Sequence, residues 1–308
     1  MNFIKKLIFA PLFLVSFVSL IYLTTPLFKT YDLIFSFSLN TLIILINIAI
    51  LISFSSLFFI LLVTIAQDWK ISIPVAVIGA AVPFFFIDFS LAIVFTIGIF
   101  LSLLLSNFNL DVVLKSYLNF QPSKLLGPPV RRLSGLLILT ICIVYFFSTS
   151  KIINQNGFQV PDSLIETAIK MAPLPEANIP TEQMNLPQIT GEQLELLKQN
   201  PELLRQSGLD PQVLENLTTS QENIQAPVNL TNQLIEQTVK DQVQNFIKPY
   251  QNFIPAGLAI LVFLTLQSFT SMLNLLIYPF LWITFFVLEK TGFVKFEIEQ
   301  RPVKKMVI

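Results

Sequence analysis

Few side chains in this sequence can do chemistry, and their types limit which chemistry that is. The 308 residues contain no histidine and one cysteine, Cys142. Within the chain this excludes His-based triads, His-ligated zinc, multi-cysteine metal sites and an internal disulfide. Asp88 is the one ionisable residue in the otherwise apolar stretch 71–108. A two-aspartate intramembrane protease needs a second carboxylate within a span, and none is present; Asp88 reads instead as a hairpin residue at an interface. The expectation is a non-enzymatic chain with no catalytic, cofactor or metal site.

Uncharged polar residues form the only patterned constellation. Ser36, Asn40 and Asn47 recur at i, i+4 and i+11, within about 40° of one another on a helix turning 100° per residue. Gln267, Ser271 and Asn274 recur at i, i+4 and i+7. Each set draws a polar seam along an apolar helix. Two roles are open: hydrogen-bonded attachment between helices, worth about 1 kcal/mol or less per bond, or the lining of a hydrated path for a small solute, as in a channel or transporter.

The elements that carry these stripes follow from composition. Apolar residues make up 54% of the chain and charged residues only 12%, against roughly 45–50% and 25% in a soluble domain. The predicted fold is all-α: a polytopic integral membrane protein of about six transmembrane helices, with a small helical extramembrane domain inserted between helices five and six. The expected spans are 7–24, one long helix within 33–66, two short helices at 73–87 and 89–106 meeting near Asp88, then 133–148, and a sixth within 253–288 interrupted at Pro279. Residues 20–28 (LIYLTTPLF) hold no small-x-small cleavage site, so the first span reads as an uncleaved anchor. The predicted divisions are a membrane domain at 1–149, an acidic extracytoplasmic module at 150–251, the sixth span at 252–288 and a basic tail at 289–308.

Charge orients this map. With six crossings and both termini in the cytoplasm, Lys5, Lys6, Lys70, Lys115, Lys124, Arg131, Arg132, Lys290, Lys295, Arg301, Lys304 and Lys305 all fall inside, and Lys29 is the one basic residue in the short outer loops. This agrees with the positive-inside rule. Residues 111–121 are expected to form an interfacial helix that, with Lys115, Lys124, Arg131 and Arg132, rests on an anionic leaflet at about 1 kcal/mol per basic residue. Residues 293–308 alternate partly, as a strand does, or form a basic tail.

The module is rich in helix punctuation. Residues 161–172 read as a short helix ended by Pro173, and Thr190-Gly-Glu-Gln193 has the form of a capping box. Asn200-Pro201 and Asp210-Pro211 each pair a cap residue with proline at the first helical position, and Gly208 suits the stop between them. Residues 229–248 form an amphipathic helix with Ile235, Val239, Val243, Phe246, Ile247 and Tyr250 on one stripe. The run 198–217 (KQNPELLRQSGLDPQVLENL) resembles the Asn-Pro helical repeats of client-binding domains in some co-chaperones. The resemblance stops at this run, and the residues by themselves describe a small helical cap domain. The leading expectation is a scaffold or assembly factor in a bacterial cytoplasmic membrane. Its partners are the lipid bilayer and, through 151–250, another protein or a second copy. Equal numbers of acidic and basic residues, 19 of each, give no reason to expect nucleic acid.

Overall fold

The computed structural model describes residues 6–35, 38–117, 120–160 and 248–294. The chain divides into two compact units, Met1–Phe158 with Lys248–Ile308, and Gln159–Ile247. Every described helix belongs to the first unit, and no strand occurs among the described residues. The helices expected at 161–172 and 191–217, all but the last residue of that at 229–248, and nearly all of the tail lie outside the described residues.

Helix α1, Phe9–Thr24, runs into a 3-10 turn at Thr25–Phe28 that holds Pro26. It buries Phe13, Phe17, Leu20, Ile21 and Thr24, at i, i+4, i+7, i+8 and i+11, and leaves Val15 and Tyr22 exposed. A single turn, α2 at Asp32–Phe35, follows. The apolar run after it holds one long helix, as expected, whose start is set by Ser38: its backbone is extended and its hydroxyl accepts from the Thr41 N–H at 3.2 Å. Helix α3, Leu39–Ala66, starts at that cap and ends on Gln67, which is left-handed at φ 46°. Asp68 then caps helix α4, Trp69–Ala81, by accepting from the Lys70 N–H at 3.0 Å.

Helix α4 contains Pro74 and closes in a 3-10 turn, Val82–Phe85. Helix α5, Phe89–Ser116, is continuous, so residues 111–116 extend a span and do not form a separate interfacial helix. The polar Asn107 does not break it, because its side chain turns inward and donates to Ser72 Oγ at 2.9 Å. Helix α6, Pro122–Asn156, begins well before the span expected at 133–148 and accommodates Pro128 and Pro129. After a 3-10 turn at Lys248–Phe253, helix α7 runs unbroken from Ile254 to Lys290 through Pro279.

Five of these segments are long and apolar enough to cross a membrane: Phe9–Phe28, Leu39–Ala66, Phe89–Ser116, Pro122–Asn156 and Lys248–Lys290. Trp69–Phe85 is apolar but shorter. The described unit is thus the all-helical bundle of an integral membrane protein.

The second half of α3 is the centre of the bundle, with Phe59, Ile60, Leu61 and Leu62 all at 0% exposure. It packs against α1, α6 and α7, while α7 also lies along α6, and α6 along α5. Close approach between these helices relies on small residues. A Cβ added at Gly98 of α5 would sit 2.5 Å from Thr140 Cγ2 of α6, and one at Gly127 of α6 would sit 2.6 Å from Tyr278 Cε1 of α7.

Contacts at the helix ends fix two opposite faces of the bundle. At one face Lys6 lies 3.8 Å from Asp68, and the Phe120 and Phe285 rings are 5.2 Å apart. At the other, Lys151 lies 3.8 Å from Asp88, Ser148 Oγ donates to the Phe28 carbonyl, and Tyr22 meets Phe86 at 6.0 Å. The segment 69–86 therefore begins beside the start of α1 and ends beside Tyr22. Despite its shortness it runs the same course as α1 from Lys6 to Tyr22, about 24 Å at 1.5 Å per residue.

Candidate functional site

The two polar stripes meet different fates. Ser36 lies outside the described residues. Asn40 and Asn47 are exposed on the outer half of α3. On α7, by contrast, Asn274 is 6% exposed and Thr270 1%, and Ser271 is half-buried. Gln267 Oε1, Thr270 Oγ1 and Asn274 Oδ1 are all buried without a hydrogen-bond partner among the described residues. The α7 stripe thus faces inward along the line Leu258, Val262, Leu266, Thr270, Asn274 and Ile277 that docks this helix on its neighbours. The described structure does not bring Asn40 and Asn47 together with it into one seam.

Polar residues of α3 that do turn inward include Ser53, Ser55 and Ser56, beside Thr41 and Thr64 near the helix ends. Ser55 Oγ donates to Ser16 Oγ of α1 at 3.2 Å, and Ser16 in turn donates to the Phe13 carbonyl at 2.9 Å. Ser53 and Ser56 have buried hydroxyls with no partner among the described residues. Ser53 also lines an apolar cavity of about 110 Å³ between α3 and α7, with Phe54, Leu57, Leu273 and Ile277. Ser53 therefore leaves an unsatisfied polar atom beside a largely apolar cavity, where it is costly unless it finds a partner. Periodicity in the sequence could not single out Ser53 and Ser56, because serine is common in apolar helices and usually bonds its own i−4 carbonyl.

A polar cavity of about 320 Å³ opens at the face where α3 turns into α4, lined by Gln67, Asp68, Ser72, Asn107, Asp111 and Lys115 among others. Its floor is the buried Asn107–Ser72 bond, and Ser72 Oγ donates further to the Asp68 carbonyl at 3.4 Å. Both carboxylates have cationic neighbours. Asp68 caps α4 and faces Lys6, while Asp111 is held by Lys115 at 2.6 Å, one helical turn on. Among the described residues no group of three or more Cys, Asp or Glu side chains is placed to hold a metal ion. Sequence reasoning passed over Asn107 and Ser72. The available signal was an amide in an apolar run, which in a membrane helix demands a partner.

At the opposite face the chain leaves α6. Gly157 ends the helix at φ 72°. The next residue, Phe158, is 4% exposed, stacks on Tyr31 at a centroid distance of 5.4 Å and meets Phe35 edge-on at 6.3 Å. Tyr31 and Phe35 flank the α2 turn, so this otherwise unexplained single turn builds half of an aromatic clamp. No protein-family model, no characterised protein and no solved structure matches this chain.

Proposed function

We propose that the chain is a membrane-anchored scaffold or assembly factor of a bacterial cytoplasmic membrane. Its bundle crosses six times, both termini are cytoplasmic, and residues 159–247 stand outside as a docking module for another protein. Two features support the six crossings. Segment 69–86 follows α1 from one face of the bundle to the other. Lys6, Lys70, Lys115, Lys124, Arg131, Arg132 and Lys290 lie towards one face, as the positive-inside rule requires of a cytoplasmic side.

The observation that carries the scaffold reading is the Phe158 clamp. A chain that merely connects two spans has no need of a fixed exit, whereas a docking module gains from a rigid take-off point that limits how it can be oriented. The test replaces residues 161–247 by a short Gly/Ser linker in the full chain and compares crosslinked partners in membranes. Loss of partners with unchanged insertion is expected, and retention of every partner overturns the proposal. Phe158→Ala should reduce partner recovery without removing the module.

A second reading, a path for a small polar solute, draws on the buried unpartnered atoms of Gln267, Thr270 and Asn274. It predicts that Asn274→Leu abolishes solute flux in liposomes while the protein still inserts. Unchanged flux counts against it.

A further inference from the structure

A groove of about 170 Å³ separates α5 from the first turns of α6, and its lining has an unusual chemistry. Ser106 and Asn109 come from α5, Lys124 and Arg132 from α6, with Val113 and Leu125 among the apolar walls. Ser106 is 4% exposed, and its Oγ has no hydrogen-bond partner among the described residues. Its neighbours behave differently. Ser102 Oγ donates to the Gly98 carbonyl at 2.7 Å and Ser134 Oγ to the Val130 carbonyl at 2.9 Å, each back-bonded to its i−4 residue. Ser106 lines the groove and alone of the three has no such bond.

The charges that line the groove are equally unspent. Among the described residues neither Lys124 nor Arg132 forms an ion pair, while the nearest acid in the sequence of α5, Asp111, is taken by Lys115. Lys124 also lies in the first turn of α6, where backbone N–H groups and the positive end of the helix dipole favour an anion. Pro128 and Pro129 have no N–H, so the carbonyls of Lys124 and Leu125 lack their i+4 donors and can accept from a hydroxyl. Two cationic side chains, a buried serine without a partner among the described residues, an amide and an apolar wall at the edge of a membrane bundle match a phosphate group carried on an amphiphile.

We propose that this groove is a phosphate-binding site, occupied by the headgroup of an anionic phospholipid. It is independent of the docking module, because it needs only the bundle. The first arm of the test exchanges the full-length protein into nanodiscs of phosphatidylcholine with phosphatidylglycerol, then counts the lipid retained on re-extraction by native mass spectrometry. Preferential retention of phosphatidylglycerol should fall about fivefold for each of Lys124→Gln and Arg132→Gln, the fold-change equivalent to about 1 kcal/mol at 25 °C. Ser106→Ala should lower it as well. Arg131→Gln, which removes the adjacent charge outside the groove, should leave it unchanged. The second arm titrates inorganic phosphate into the detergent-solubilised protein and follows phosphorus NMR line broadening. Broadening that disappears in the Lys124→Gln/Arg132→Gln variant, without lipid preference, supports the site and assigns it to free phosphate. No loss in any variant, or equal losses for Arg131→Gln and Arg132→Gln with no broadening, overturns the proposal, since charge would then act only as a diffuse surface potential.

Discussion

The contact of Gly98 with Thr140 makes a prediction whose sign reverses with one methyl group. A Cβ on residue 98 would lie 2.5 Å from Thr140 Cγ2 and 3.2 Å from Thr140 Oγ1, where ordinary contacts begin at 3.4 Å. Relief requires α5 and α6 to part by about 1 Å, which weakens dispersion along the whole seam. The alternative is to rotate Thr140. Its Oγ1 donates to the Leu136 carbonyl at 2.9 Å and lies 3.3 Å from Ser102 Oγ, so rotation breaks both contacts. Overpacking of this kind costs about 1–3 kcal/mol, while Gly→Ala in a helix returns about 1 kcal/mol. Gly98→Ala alone should therefore destabilise by up to about 2 kcal/mol. Thr140→Ser alone should cost less than about 1 kcal/mol, because lipid supplies no transfer penalty and only packing is lost. In the double variant the new methyl occupies the space vacated by Cγ2, and stability should return to within about 0.5 kcal/mol of the parent. The assay is reversible unfolding in mixed micelles with increasing SDS fraction, run as a double-mutant cycle. Additivity of the two changes within about 0.5 kcal/mol would refute the claim that this glycine is required by a close helix approach.

Two further outcomes can be checked with the same protein. Asn107→Leu should cost about 1–3 kcal/mol by leaving Ser72 Oγ without its buried donor, and adding Ser72→Ala should cost little more; full additivity would show that the bond at 2.9 Å does not couple them. In a Cys142→Ser background, an impermeant thiol reagent applied to intact cells should label a Ser207→Cys probe and leave a Thr291→Cys probe unlabelled. Labelling of both would mean that α7 does not complete a crossing, and labelling of Thr291→Cys alone would reverse the orientation.

Some of this fold is written plainly in the sequence. The apolar runs that become α1, α3 and α7 are legible because few soluble helices carry so many consecutive apolar residues. The faces are much less so. Leu12 and Val15 of α1 are exposed while Phe13 and Phe17 are fully buried, yet both pairs are apolar, because lipid and protein interior reward the same side chains. The same degeneracy hid the fate of the stripes: Asn40 and Asn47 share a helix with Ser53 and Ser56, and nothing local says which half of α3 is enclosed. The proline signal misled. Pro279 reads as an interruption of the last span but sits within α7, where neighbouring helices and local adjustments compensate for the missing donor. Ser38, with no proline or glycine near it, sets where the long helix within 33–66 begins by offering its hydroxyl to a backbone N–H. The groove of Ser106, Lys124 and Arg132 belongs to two helices whose residues are never adjacent in sequence, so only packing reveals it.

The shortness of α4 has a consequence for the surrounding lipid. Its 13 helical residues and the 4 of its 3-10 turn reach about 27 Å, at about 1.5 and 2.0 Å per residue. The 37 residues of α7 reach about 55 Å. Val77, Ile78, Phe84 and Phe85 are exposed on the short side, so acyl chains there meet a wall slightly lower than the roughly 30 Å hydrocarbon core of a typical bilayer. The helices of the described bundle are thus uneven in length around its circumference. On the proposed six-crossing map the bundle tilts towards α4 or draws the two leaflets together on that flank, at a fraction of a kcal/mol per ångström. Lipids with short acyl chains match that flank, and a bilayer graded in thickness sorts the protein towards its thinner regions.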